Sequence, residues 1–362
     1  MESMITQSDA VTTVPVRGRG RWRLLAAGSA VVLGLVSGCG GDPDPASGSG
    51  DADRDSAGGQ QNGAGRDGGS AAPQPEPLTG KDADGDASKR QVLAVKIDNT
   101  TAAAPQVGLR SADLVVEELV EGGNTRLAAM FHSELPSVVG PVRSMRASDI
   151  GIAQPARATL VASGGAPRTI RRLVTAKITT TEDGDPGYTR AGDRTAPYNL
   201  MVRLRELADS LPDPAAEPPG PYLPFGKADM RGGKQARAFE VAFTPGRATS
   251  WQFDDGTYQR TGSLADAGDT FAADSVLVLR VRVKSAGYKD PAGNPVPETI
   301  LDGKGDAMLF HSGAVVDARW RKDGLGAPIQ LADKAGDDVA VPPGRTWVEL
   351  VPADGGSVRL AR

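Results

Sequence analysis

Two groups of residues in this sequence have the type and spacing to do chemistry: a lone thiol behind an apolar run, and a cluster of arginines behind an acidic strand. Cys39 is the single cysteine among 362 residues, which excludes a disulfide framework, a CxxC redox pair and a cysteine-based zinc site. It follows Val36-Ser37-Gly38, the end of an uncharged, proline-free stretch that begins at Leu24 behind Arg17, Arg19, Arg21 and Arg23. A basic flank and an apolar core of about 7–15 residues read as an export signal, too short for a comfortable membrane span. Small residues immediately before a cysteine read as a lipobox: they let an extended backbone enter signal peptidase II, and the thiol then carries the lipid. Cys39 is therefore the expected lipidation site, bearing diacylglycerol and an amide-linked acyl chain such as palmitate. Each buried CH₂ adds about 0.8 kcal/mol of membrane affinity. The location expected is extracytoplasmic, lipid-anchored to the bacterial cell membrane.

Between Pro141 and Thr175 stand six arginines (Arg143, Arg146, Arg157, Arg168, Arg171 and Arg172) against Asp149 alone, and Asp113, Glu117, Glu118 and Glu121 lie just upstream. A guanidinium is a rigid fork that suits phosphate or carboxylate oxygens. Ser163-Gly164-Gly165, leading into a helix opened by Pro167, would leave backbone N–H groups aimed at an anion. Arg126, Arg143, Arg146, Gly164, Gly165 and Arg168 are accordingly the candidate anion-binding residues. A competing account pairs Arg143 and Arg146 with the acidic strand as structural ion pairs, and the sequence leaves both open.

Asp98 and Glu118 are the catalytic candidates, as acid–base groups or Mg²⁺ ligands, although Asp98-Asn99 would equally form an Asx turn. The two histidines, His132 and His311, fall in different halves of the chain. A Ser-His-Asp triad has no support from that spacing, and a His-rich metal site is excluded. No metal and no cofactor is expected, Mg²⁺ entering only under a catalytic reading. A formal net charge of -4 is too small to imply nucleic acid as a partner.

The elements that must position these groups are unevenly spread. From Gly40 to Lys89 the chain is mostly Gly, Asp, Ala, Ser, Gln and Pro with Leu78 as its one large apolar residue, a composition that cannot offset ordering entropy. Val92–Ile97 then reads as a buried strand, and Leu114–Val120 with Arg126–Phe131 flank Gly122-Gly123-Asn124 as a hairpin. Ser137–Met145 suggests an edge strand broken at Gly140-Pro141. Ala147–Ala153 suits a helix, Leu160–Ala162 a strand, and Pro167 opens a helix through Leu173. Leu200, Leu204, Leu207 and Leu211 have helical spacing from about Asn199. Beyond the proline-crowded stretch after Leu211, strand signals dominate: Phe239–Phe243, Trp251–Phe253, Val276–Lys284, Met308–Phe310, Ala314–Trp320 and Thr346–Val351.

The fold expected is an α+β or α/β N-terminal domain followed by a smaller, mostly β C-terminal domain. The boundaries expected are a signal peptide over 1–38, a lipid-anchored disordered tether over 39–90, and an N-terminal domain over 91–211. A Pro/Gly-rich linker follows over 212–237, and a C-terminal domain over 238–362.

Several segments together resemble one family, the YerB-like lipoproteins. They are Val95-Lys96-Ile97-Asp98-Asn99, Pro105–Leu109, Ala112-Asp113, Glu118–Arg126, and above all Gly140-Pro141-Val142-Arg143-Ser144-Met145-Arg146. The likeness continues through Ala162–Gly165 and Tyr188-Thr189-Arg190. In the second half it rests on Trp251, Tyr258-Gln259-Arg260, Gly303-Lys304-Gly305, Phe310 with Gly313, Trp320 and Pro343–Trp347. It departs at Pro197-Tyr198-Asn199-Leu200, where the family pattern has histidine in place of Tyr198. The resemblance implies N- and C-terminal domains of unassigned function.

The function expected on these grounds is a binding or scaffold protein on the outer face of the cytoplasmic membrane. It would recognise an anionic wall polymer, a lipid-linked phosphate or a membrane protein. Two alternatives stand beside it: an envelope enzyme acting on a phosphorylated wall precursor held by arginines, and a transporter-associated solute-binding lipoprotein.

Overall fold

The computed structural model describes residues 75–83, 90–212 and 219–361. The signal segment and Cys39 lie outside them. The apolar runs become strands. β1 (Leu93–Asp98) is buried along its whole length, as befits a strand covered on both faces. β2 (Leu114–Leu119) and β3 (Thr125–Phe131) form the hairpin, and the turn between them holds Gly122 and Gly123 at φ 69° and 72°, which favours glycine. α1 (Asp149–Ala153), β4 (Thr159–Val161) and α2 (Pro167–Thr175) follow, the last opened by its proline. β5 (Thr180–Thr181), β6 (Tyr188–Arg190), β7 (Leu200–Val202) and α3 (Leu204–Ser210) complete this half.

Two local expectations change. Leu200 belongs to β7, paired with β6, and the helix starts only at Leu204 because Arg203 before it is extended. Ser137–Met145 forms no strand; its backbone makes isolated bridges from Val139 to Val202, Gly140 to Val107 and Val142 to Ile97.

Among the described residues the regular elements of the second half are all strands. β8 (Lys234–Gln235), β9 (Ala238–Thr244), β10 (Arg247–Asp254) and β11 (Thr257–Thr261) come first. β12 (Ser275–Lys289), β13 (Pro295–Ile300), β14 (Gly303–His311) and β15 (Ala314–Lys322) are followed by β16 (Gln330–Ala332), β17 (Thr346–Pro352) and β18 (Ser357–Leu360).

One twelve-stranded mixed sheet spans both halves in the order β16-β15-β14-β12-β17-β2-β3-β1-β4-β5, with β13 on β12 and β8 on β15. The seam is the parallel pair β17–β2, in register from Thr346 opposite Leu114 to Leu350 opposite Glu118. The two sequence halves therefore share one sheet, with a hydrophobic core on each of its faces. One face of the sheet buries Ala94, Val116, Met130, Leu279 and Leu350 against α1 and α2. The opposite face buries Val95, Leu127, Phe131 and Trp347 against α3 and a four-stranded sheet ordered β11-β10-β9-β18. The first half is richer in strand than an α/β reading suggests: among the described residues its three α-helices span only five, nine and seven residues.

Two segments read as unstructured are part of this interior. Residues 75–83, assigned to the tether, fold back through a bridge from Pro75 to Asp82, and Leu78 is 1% exposed. Pro77 and Thr79 offer their carbonyls to the N–H groups of Tyr222 and Gly344. In the expected linker, Tyr222 and Leu223 are buried and Phe225 bridges to Val341. No helix among the described residues is long and apolar enough to cross a membrane.

Candidate functional site

At the carboxyl ends of β1 and β2 the register sets Glu118, Arg126 and Asp98 in one row across three strands, since Arg126 lies opposite both carboxylates. One pleat below, Lys96 is fully buried, with Nζ 2.7 Å from Glu118 Oε1 and 2.7 Å from Asp149 Oδ1 of α1. Burial alone would lower the Lys96 pKa, but Asp149 and Glu118 outweigh it and hold it above its ordinary value. Burial raises Glu118 despite the opposing pull of Lys96.

Above this layer the segment after Val142 folds its arginines back over the row. Arg143 Nε lies 2.7 Å from Asp98 Oδ2, while Asp98 Oδ1 accepts the N–H and hydroxyl of Thr100 at 2.8 and 2.6 Å. Arg146 grips both oxygens of Glu121, with Nε to Oε2 at 2.9 Å, and Arg126 Nη2 reaches Glu121 Oε1 at 3.4 Å. Burial pushes the Glu121 carboxyl up, but Arg146 and Arg126 overrule it and hold it at about 2. Burial and the Arg146 charge bring Arg126 down to about 10. Of the structural ion pairs that the sequence left open, Arg146 has its acidic partner in Glu121, whereas Arg143 pairs with Asp98 of β1 instead of the acidic strand, and in all four cations face four carboxylates.

The network has an open side. A cleft of about 170 Å³ lies over it, lined among others by Asp98, Glu121, Asn124, Arg126, Arg143, Tyr198, Asp290 and Asn294. Arg143 stands over the Tyr198 ring, 5.5 Å from its centroid. Asp290 and Asn294 arrive on the tip of the β12–β13 hairpin, where Asp290 accepts the Asn294 N–H at 2.7 Å.

The sequence candidates separate on this geometry. Arg126, Arg143 and Asp98 line the cleft, whereas Arg146 stands behind Glu121 and Glu118 lies beneath with Lys96. Gly164 and Gly165 are elsewhere: a Cβ on Gly165 would meet Met145 Cγ at 2.6 Å, so this glycine serves close packing. Arg168 donates to the Gly287 carbonyl at 2.9 Å and fastens the hairpin arm to α2. Both histidines are occupied structurally. His132 Nδ1 lies 2.5 Å from Glu76 Oε2, and His311 Nδ1 lies 3.0 Å from Ser275 Oγ. Among the described residues no group of three or more His, Cys, Asp or Glu could hold a metal.

Sequence reasoning missed Tyr198, Asp290 and Asn294. Tyr198 carried a signal, as the departure from the family pattern, and Asp290-Pro291-Ala292-Gly293-Asn294 a turn signal, but nothing local told where that turn would land.

A mixed sheet closed by two halves of the chain, with a polar cleft at its strand ends, defines the class. Residues 78–216 match the N-terminal domain, and residues 239–348 the C-terminal domain, of the family described as "Protein of unknown function (DUF3048)". The chain belongs to this YerB-like family. It is 26% identical over 288 residues to the Bacillus subtilis (strain 168) protein named "Putative lipoprotein YerB", covering 76% of this chain and 86% of that protein. The crystal structure of YerB protein from Bacillus subtilis superposes with a TM-score of 0.66 at 24% identity, covering 78% of this chain and 99% of the other, a likeness of fold.

Proposed function

We propose that this protein is a lipid-anchored binding protein of the cell envelope, held at the outer face of the cytoplasmic membrane through Cys39, whose cleft takes an anionic group of a wall component. The lipobox supports the anchor, and the name of the Bacillus subtilis relative carries the word lipoprotein. The cleft carries the binding reading. Asp98 and Glu121 are engaged by internal donors, while Arg143 makes its ion pair through Nε, so that among the described residues its outer nitrogens are left for an acceptor on the ligand. The same accounting disfavours catalysis by Asp98, both of whose oxygens are already engaged.

The test is calorimetric titration of the fragment from Gly69 onward, which includes the whole compact unit, with glycerol phosphate and with sugar acids. Binding that Arg143→Ala removes supports the reading; a wild type indifferent to every such anion ends it. For the anchor, mass spectrometry of protein extracted from its native membrane should find Cys39 acylated at the new amino terminus, and a free thiol there refutes it.

A further inference from the structure

The cleft is small, mixed in charge and rich in planar polar groups, and these features narrow the ligand further. We propose that it takes a single sugar ring bearing one carboxylate, with the carboxylate on Arg143, the hydroxyls on Asn124, Asn294 and Asp290, and one face of the ring against Tyr198. This rests on the reading of the cleft as a binding site.

Size comes first. At about 170 Å³ the cleft falls below the range of roughly 300–1,000 Å³ that holds drug-sized ligands, which leaves space for one six-membered ring. Charge comes second. Lys96, Arg126, Arg143 and Arg146 are matched by Asp98, Glu118, Glu121 and Asp149. Asp290 adds a further negative charge to the lining. Among the described residues Arg126 is committed to the Ser144 carbonyl and Glu121, so a phosphate dianion would meet that charge with the outer edge of Arg143 as its donor, whereas a monoanion needs no more than that edge.

Hydroxyls come third. Each is both donor and acceptor, so a sugar needs both kinds of partner. Asn124 and Asn294 supply amides, and Asp290 keeps acceptor capacity after taking the Asn294 N–H at 2.7 Å and its side-chain amide at 3.1 Å. The last requirement is an apolar wall for the C–H face of the ring, and Tyr198 is the aromatic residue in the lining. Asp290 and Asn294 reach the cleft from β12–β13, so neither half of the chain completes the site alone.

The experiment titrates the full chain, purified in detergent, with glucuronate, glucose, acetate and glycerol phosphate. Glucuronate should bind at least tenfold more tightly than the other three. Tyr198→Ala should weaken glucuronate tenfold and leave acetate unchanged, and Arg143→Gln should erase the difference between glucuronate and glucose. Should Arg143→Gln prove unstable, Asn294→Ala on the hairpin tip must weaken glucuronate without weakening acetate. If glycerol phosphate binds best, the sugar-acid inference is overturned while the binding reading survives. If none of the four binds the wild type, both fall.

Discussion

The indole N–H of Trp251 in β10 donates to Glu349 Oε1 in β17 at 2.9 Å, tying the two sheets together through a carboxylate that is wholly buried. Glu117 stands opposite Glu349 in the β17–β2 register, and Arg260 Nη2 lies 3.8 Å from its Oε2 while covering the Trp347 ring at 4.7 Å. Burial first, and the Glu117 charge second, raise Glu349 well above its unfolded value of 4.5. The folded state therefore holds a proton that the unfolded chain releases. This stabilising contribution is complete below pH 4.5 and is lost as pH rises through the folded value. Glu349→Gln keeps an oxygen for Trp251 and mimics the protonated acid. Its melting temperature should fall less than that of the wild type between pH 5 and pH 8; parallel curves would refute the assignment.

Glu121 gives the opposite slope. Its folded value of about 2 lies below the unfolded 4.5, so its contribution is present above pH 4.5 and lost as pH falls through about 2. Glu121→Gln should cost roughly 2–3 kcal/mol at neutral pH in urea unfolding, since each tenfold change in proton affinity is worth about 1.4 kcal/mol. Toward pH 2 the variant and wild type should converge. A gap that stays constant with pH would mean the loss is one of packing.

Lys96 makes a sharper demand on the interior. Its two carboxylate partners are fully buried, so Lys96→Met leaves two carboxylates facing each other without a cation. Breaking a buried pair from one side costs about 3–5 kcal/mol. The triple variant Lys96→Met, Glu118→Gln, Asp149→Asn should recover most of that in denaturant unfolding, because it removes the charge along with its partner. A single variant no weaker than wild type would show that Lys96 does not hold this buried cluster together.

What the sequence revealed and what it hid follow one physical division. β1, the β2–β3 hairpin, β12 and β17 were visible because burial on a sheet leaves its mark within a few residues. Arg126 and Arg143 could be picked by type alone. The β17–β2 pairing could not, since it joins Thr346 to Leu114 with no local trace. Gly164 and Gly165 looked like an anion cradle because a glycine turn before a helix has the same sequence whether it faces a ligand or packs under Met145. Asp290 and Asn294 were hidden for the same reason as the sheet seam: the hairpin that carries them is recognisable, its destination is not.

Leu78 shows how one residue can outweigh the composition around it. It is 1% exposed and packs in the interior that also takes Tyr222 and Leu223. Leu78→Ala should cost about 2–5 kcal/mol, the range for a leucine truncated in a packed core. A fragment beginning at Gln91 should be destabilised comparably in thermal unfolding, since it also removes Glu76 from His132. If that fragment melts like the longer one, residues 75–83 are dispensable decoration.

The hairpin arm that brings Asp290 and Asn294 to the cleft is fastened to α2 by Arg172, whose Nη1 and Nη2 lie 2.8 and 2.7 Å from the two oxygens of Glu298. Tyr288 and Thr169 add a hydroxyl contact at 3.0 Å. The arginine side chain is 40% exposed, so solvent screens the pair and its coupling in a double-mutant cycle should be only about 0.2–1 kcal/mol. Glu298 is far less exposed, at 7%, with Lys284 Nζ 3.8 Å away. Arg172→Ala therefore strands a nearly buried carboxylate, and it should cost more than Glu298→Gln, which leaves only a screened guanidinium behind. The effect should be local. Hydrogen exchange should quicken across residues 286–296 by roughly fivefold for each kcal/mol lost, while β1–β3 keep their protection. If exchange quickens equally in β1–β3, the arm is no separate unit, and the cleft it completes opens only when the whole sheet does.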